Sequence, residues 1–523
     1  MLIRAGSLAV DAAASFADRV ALDGKRPLTF GELDRIANQL ASGLASLGVN
    51  VGDRVAMLSH NRPEVVHAWL ACERAGFVRV VLHSHFEMSS HVRMLRTTDA
   101  STLIFDVRFT DAVAELRGEM QGVKTFIALG GPAPVWALAL EEVLERGRED
   151  FEPLELDEDA PVCIQPTTGT TGEPKPWLVT HRGWRTFIAH NLLHLDALGP
   201  APIGLEDVNL HVHALQWASG AQTLMPYLIR GARTLVLDDA GFDPGLITDT
   251  ITDGAVTGLL MPGPLLAPLL EQIAARAPFS HRLRRLVVLF ATPELLTMTG
   301  ELLGPVWCHG YGSTEQGAPV TRLTAADAAE DSARLGSVGR AASPLVEVAV
   351  VNDNGERLPA GAVGEIVVRS AMSSSCYWQD KPPAADVFLD GGWFCSRDLG
   401  YLDRDRFLYY VDRSHDRIQT THGSVYPHAV EEAVLRHHAV AACGAVGLGE
   451  PGHQEVVAAV VLKDDELAGE TLVEEIEGGA REALAEHAAP RVVVVESLPT
   501  VLGGAKVRRD ALREQLTTVA ATS

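Results

Sequence analysis

Residues 163–176 read Cys-Ile-Gln-Pro-Thr-Thr-Gly-Thr-Thr-Gly-Glu-Pro-Lys-Pro. Thr167, Thr168, Thr170 and Thr171 supply hydroxyl groups. Gly169 and Gly172 let the backbone bend so that its N–H groups converge on an anion. Lys175 adds a point charge. The composition is that of a phosphate cradle, although not of a Walker loop, because no Gly-Lys-Ser/Thr follows at the required spacing. A polar surface turn is the plain alternative. Four threonines, two glycines and a lysine within residues 167–175 argue against it.

Further candidates follow along the chain. They are Tyr311-Gly312-Ser313-Thr314-Glu315, the stretch Gly392 to Gly400 with Asp398, the pair Asp412-Arg413, and Leu498 to Val507 with Lys506. Together with the loop, and in this order, they resemble the motifs of the adenylate-forming superfamily of acyl-CoA synthetases, peptide-synthetase adenylation domains and luciferases. The loop matches nine of that family's ten positions, Thr167 to Lys175, and departs at Pro176. The resemblance spans about residues 10 to 513. It implies ATP and Mg²⁺ as cofactors, with CoA as a possible acceptor. Tyr311 would stack on adenine beside Gly312 and Ser313, and Thr314 would bond the α-phosphate. Glu315, with Thr170, would hold Mg²⁺. Asp398 would take the ribose hydroxyls, since a carboxylate accepts two hydrogen bonds at once. Arg413 would hold ribose or phosphate. Lys506 would stabilise charge at phosphorus while the acid is adenylated.

The implied activity is that of an ATP-dependent ligase. It would activate a carboxylic acid as an acyl-adenylate and pass it to CoA or an amine. Adenylation of nitrite for diazotisation and a non-catalytic nucleotide-binding homologue are the alternatives. The acid pocket is expected around His213, Gln216 and Trp217, with Phe290, Ala291, Thr292 and Pro293 opposite; Ala291 to Pro293 would also wall the adenine. Trp217 and Phe290 suggest a flat aromatic acid. Several positions depart from the family. Phe290 and Arg397 stand where it usually has glycine, and Lys506 is preceded by one extra residue. His415 and His422 occupy the region after the hinge, where the family has Asp or Lys and then Gly; a Gly follows at 423. A histidine at 422 is expected to resist the positive φ that glycine supplies, which would favour a small nucleophile over CoA.

These residues need a scaffold. Thr29 and Glu32 form a capping box, ahead of Leu33, Ile36, Leu40, Leu44 and Leu47 at helical spacing, and Gly48 stops the helix. Arg54 to Leu58 is strand-like, Asn61 and Pro63 open a helix to about Ala75, and Val78 to Leu82 is strand again. Short apolar runs recur at 234–237, 258–261, 286–289, 346–351 and 363–368. Strands alternating with helices predict an α/β fold with largely parallel sheet. The resemblance implies a large N-terminal region of several αβ subdomains and a small mobile α+β C-terminal domain. The polar stretch 412–417 predicts the boundary, giving 1–412 and 413–523.

The chain has 523 residues, 47% of them hydrophobic, and a formal net charge of −24. So acidic a surface repels phosphate backbones and anionic lipid, so neither nucleic acid nor membrane is an expected partner. The partners expected are a small-molecule acid and a nucleophile, with no fused carrier protein, in a monomer or homodimer. The six cysteines lie without metal-ligand spacing, and the N-terminal stretch does not read as a signal peptide. A cytoplasmic, reduced setting is expected.

Overall fold

The computed structural model describes residues 1–523 apart from 25, 168–174, 277, 373–376, 380–386, 464–468, 485–487, 502–505 and 523. The chain packs into two compact units: 1–169 with 173–347 and 369–394, and 170–172 with 348–368 and 395–523.

The first unit is α/β and holds two large sheets. In one, strands Val78–Leu82, Arg54–Leu58, Thr102–Asp106 and Thr125–Leu129 run parallel. Pro161–Thr167 joins them in parallel, and Lys175–Thr180 closes the edge antiparallel. In the other, Val208–His211, Gly258–Pro262, Arg285–Leu289 and Trp307–His309 are parallel neighbours. Such strands are covered on both faces, so they read as continuous apolar runs, and every residue of 78–82 is buried.

Local signals do what their chemistry requires. The Thr29 hydroxyl accepts from the Glu32 N–H at 3.1 Å and the Glu32 carboxylate accepts from the Thr29 N–H at 2.9 Å, which opens helix Phe30–Ser46. Strand 54–58, helix Pro63–Ala75 and strand 78–82 fall where the patterning puts them. Asn61 differs. The cap of helix 63–75 is Arg62, without a side-chain bond. The Asn61 amide instead donates to the His213 carbonyl at 2.8 Å and accepts from the Leu215 N–H at 2.6 Å.

The second unit contains strands Trp393–Leu402, from residue 395 onward, and Leu408–Arg413, paired antiparallel. Its C-terminal part is α+β. Val440–Leu448 and Glu455–Leu462 pair antiparallel, Arg491–Val494 adds in parallel, and helices Pro427–Leu435 and Glu470–Ala483 supply Val430, Val434, Ile476 and Ala480 to the core. Asp412 and Arg413 lie inside a strand of this unit, and residues 348–368 and 395–412 pack with the C-terminal residues. Cys72, Cys163, Cys308 and Cys443 are free and buried. Burial pushes the Cys72 and Cys308 thiols up to about 12, which keeps them inert. Among the described residues no helix is long and apolar enough to cross a membrane.

Candidate active site

Ligands of open α/β sheets bind beyond the carboxyl ends of the parallel strands. In the first unit the ends of both sheets meet. Strand 54–58 leads to His60 and Asn61, and strand 78–82 to His83. Strand 208–211 leads to His213, Gln216 and Trp217, 285–289 to Phe290, and 307–309 to Tyr311. The two sheets are tied across by amides. Gln165 donates to the Gln216 carbonyl at 2.9 Å, Gln216 donates to the Met57 carbonyl at 3.3 Å, and Asn61 holds residues 213 and 215. The segment predicted to line the acid pocket is therefore clamped at its main chain. Asn61 and Gln165 were not expected there; nothing in an isolated Asn or Gln signals a main-chain clamp.

The phosphate-loop threonines and glycines Thr168, Gly169, Thr170, Thr171 and Gly172 lie outside the described residues. Their flanks are described. Thr167 and Lys175 face each other in register at the end of an antiparallel hairpin. Thr167 is buried and its hydroxyl has no hydrogen-bond partner. Lys175 is exposed, with its ammonium 5.7 Å from the Tyr377 ring centroid. Pro176, the departure from the family pattern, pairs with Pro166. Two prolines facing each other leave no N–H of that pair stranded, since neither has one, and the Pro176 carbonyl accepts from the Trp378 N–H at 2.8 Å.

Residues 311–315 are all partly buried. The Tyr311 N–H donates to the Thr321 hydroxyl at 3.1 Å, and its phenol oxygen accepts from Gln316 at 3.2 Å. Gly312 is required by close approach, because a Cβ there would lie 2.7 Å from the Ala318 Cβ. The Ala318 N–H donates to the Ser313 carbonyl at 3.2 Å and the Gly317 N–H to that of Thr314 at 3.3 Å, so the segment curls back on itself. Gln222, on the helix Ala218–Ile229 that follows Trp217, donates to the Ala318 carbonyl at 3.0 Å. This links the predicted nucleotide segment to the predicted acid segment.

Phe290 begins the turn from strand 285–289 into helix Pro293–Leu303. Thr292 caps that helix through the Leu295 N–H at 3.3 Å, with Pro293 at its first turn. Ala291 is partly buried, and Thr292 and Pro293 are exposed. Phe290 is 51% exposed and has φ +55°. It thus keeps the left-handed backbone that a glycine would take without cost.

The second unit brings two predicted ribose ligands together by itself. Asp398 and Arg413 are cross-strand partners, with Nε 2.8 Å from the carboxylate. The neighbouring Asp412 accepts from the Arg413 and His428 N–H groups at 2.7 and 2.8 Å. Arg397 has φ +61°, and its carbonyl accepts from the Ser414 N–H at 2.9 Å. Lys506 lies on a short strand paired antiparallel with Thr500–Val501; its side chain lies outside the description. Arg509, three residues on, makes a half-hidden double contact with Glu431 at 2.8 and 3.1 Å. His415 is 3.8 Å from the Asp416 carboxylate. The strain expected at His422 is absent. The turn 421–422 joins strands Ile418–Thr420 and Gly423–Val425, and the positive φ, +138°, falls on Gly423. The one-residue offset puts the glycine where the turn needs it, so the backbone at 422 carries no strain against a thioester-forming geometry.

One donor cluster resembles a metal site but is already occupied by protein. His60, Asp238 and Asp239 offer atoms within 4.8 Å of one another. Asp239 accepts from the Asn61 N–H at 2.6 Å, and Asp238 from Arg108 at 2.7 Å and the Ala240 N–H at 2.9 Å. The His60 ring reaches Asp239 at 3.2 Å.

With these geometries in view, the chain belongs to the AMP-binding enzyme family, whose model matches residues 10–378, with the family's C-terminal domain matching 429–502. Its class is that of adenylate-forming, AMP-forming ligases. It is 30% identical to a medium/long-chain-fatty-acid–CoA ligase of Mycobacterium tuberculosis, over 94% of this chain and 86% of that one. It is 31% identical to a feruloyl-CoA synthase of Amycolatopsis sp., over 94% of each chain. Among solved structures it is similar to an amide bond synthetase from Marinactinospora thermotolerans, with TM-score 0.84 and 26% identity over 98% of this chain and 99% of that one.

Proposed function

We propose that this protein activates a carboxylic acid with a flat aromatic body as an acyl-adenylate, using ATP, and transfers the acyl group to CoA or an amine. The observation that carries the reading is the junction at the carboxyl ends of the two sheets of the first unit. There Gln222, on the helix after the clamped 213–217 segment, donates to the Ala318 carbonyl beyond the 311–315 segment, and Gln216 ties the clamped segment to Met57 at the end of the other sheet. The unpartnered Thr167 hydroxyl beside the Gly/Thr-rich loop fits a nucleotide phosphate. Glu315 and Thr170 are oxygen donors of the kind Mg²⁺ takes, and the ion would neutralise charge on the phosphates. Asp398 and Arg413 would hold the ribose, and Lys506 would meet the acid and the α-phosphate during adenylation. Trp217 and Phe290 are the flat surfaces for the acid; an aromatic-acid CoA synthase and an amide-forming enzyme among the similar proteins are consistent with both halves of the reading.

The test is Mg²⁺-dependent ATP–pyrophosphate exchange across a panel of aromatic and alkyl acids. Exchange with benzoate- or cinnamate-type acids well above that with palmitate supports the reading, and equal exchange removes the aromatic assignment. Offering CoA and an amine panel at equal concentration to the adenylate formed in situ then assigns the acceptor.

A further inference from the structure

A buried polar atom with no hydrogen-bond partner is destabilising, and most buried polar atoms of folded proteins are paired. The 211–217 segment concentrates such atoms. His211 ends its strand and His213 lies two residues on. Their rings are 4.5 Å apart between centroids, and the side chains are 0% and 4% exposed. None of the four ring nitrogens has a hydrogen-bond partner. The Ser219 and Leu260 main chain favours the His213 proton and the His213 main chain that of His211, but all three fall outside hydrogen-bonding geometry. His83 Nδ1, Trp217 Nε1 and Gln216 Oε1 are also buried and unpartnered, and the Trp217 ring meets His83 edge-on at 6.1 Å. The segment cannot relax to satisfy them, because Asn61 and Gln165 fix its main chain.

Burial depresses the proton affinity of all three histidines, to about 4 at His213 and about 3 at His83, and well below the ordinary imidazole value at His211. Each ring is therefore neutral at pH 7 and offers one N–H and one lone pair. A group that both donates and accepts satisfies such rings. A second carboxylate does not: neutral imidazoles cannot balance it, and the ionised Asp239 is close enough to act on both His211 and His213.

Resting on the acyl-adenylate reading above, we propose that His211 and His213, with Trp217, form a subsite for a second, uncharged polar group on the acid: a hydroxyl or aryl amine carried on the aromatic body away from the reacting carboxylate. Pyrophosphate exchange by the full chain on matched acids tests it, using cinnamate and benzoate, their 3- and 4-hydroxy and amino forms, and their 4-carboxy forms. The expected result is a kcat/KM preference of about tenfold or more for a hydroxy or amino acid over its unsubstituted parent, since sites built to bond a hydroxyl reject analogues lacking it. The 4-carboxy acids should be the poorest. His211→Phe and His213→Phe keep the ring shape and should bring the hydroxy-to-parent ratio toward one. Trp217→Phe, which removes a single donor, gives the same reading if a histidine variant does not fold. Equal use of parent and hydroxy acids by the wild type, or an unchanged ratio in the folded variants, overturns the subsite and leaves acid activation standing. Absence of exchange with every acid overturns both.

Discussion

The charge cluster of the second unit and the 211–217 segment of the first handle buried polar groups in opposite ways. In the second unit the buried charges are matched. Asp398 pairs with Arg413, Asp412 accepts two main-chain N–H groups, and Glu431 receives Arg509 along two contacts. In the first unit the pocket segment holds neutral imidazoles whose nitrogens have no partner. A matched network rigidifies what it joins. An unmatched one stores a demand that a ligand can meet. On the proposed reading, the matched network positions and the 211–217 segment recognises.

The largest expected effect follows from the proposed role of Lys506. Lys506→Ala should lower turnover in acid-dependent pyrophosphate exchange by about 2.7–4 kcal/mol of transition-state stabilisation, with the KM for ATP little changed. Exchange at the normal rate would remove Lys506 from the chemistry. On the matched side, Arg509→Met leaves Glu431 buried without its cation and should destabilise the protein by about 3 kcal/mol. Urea unfolding measures this, and Glu431→Gln in the same background should recover part of the loss. If the single change is neutral, the pair is not structural.

On the unmatched side the expected effect depends on pH. His67, His91, His181 and His213 are each held at about 4 by burial. Unfolded histidines bind protons near 6.5, so between about pH 6.5 and 4 the unfolded state binds more protons than the folded one. Stability is therefore full above 6.5 and falls as pH drops, by up to about 1.4 kcal/mol per pH unit for each fully buried ring. Urea midpoints at pH 7.5, 6.0 and 5.0 should decline progressively, and a flat profile would show that the rings are solvated. The smallest effect concerns the left-handed residues. Arg397→Gly relieves a positive φ at a site whose side chain is exposed, and should raise stability by about 1 kcal/mol. No gain in the thermal midpoint would mean that the Arg397 side chain compensates for its backbone.

Much of this was legible in the residues because the signals are local. A capping box needs only Thr29 and Glu32, and a parallel strand needs only an apolar run, so strands 54–58 and 78–82 follow directly. Gly312 was legible as composition, and Phe290 and Arg397 as replacements, although not that both keep the glycine conformation. What stayed hidden depends on register and on distant partners. The place of Gly423 in its turn is a register of one residue, and His422 was misjudged for that reason. Asn61 looked like a helix opener because its partners, His213 and Leu215, lie about 150 positions away. His-x-His at 211–213 carries a periodic signal, since alternate strand residues share a face. Only burial without partners turns that signal into chemistry.

The first unit is discontinuous, and this sets an order on its making. Trp177, on the edge strand beside the phosphate loop, is 1% exposed, and its cover includes Tyr377 at 5.0 Å and Phe394 at 6.0 Å between ring centroids. Those residues belong to the same unit but are separated from its main body by 348–368. Nascent domains fold as units from the N-terminal side. On the ribosome, Trp177 and the hairpin that carries Thr167 and Lys175 must therefore wait with an apolar face uncovered until residue 394 has emerged, so this edge is where a chaperone would find the unfinished chain.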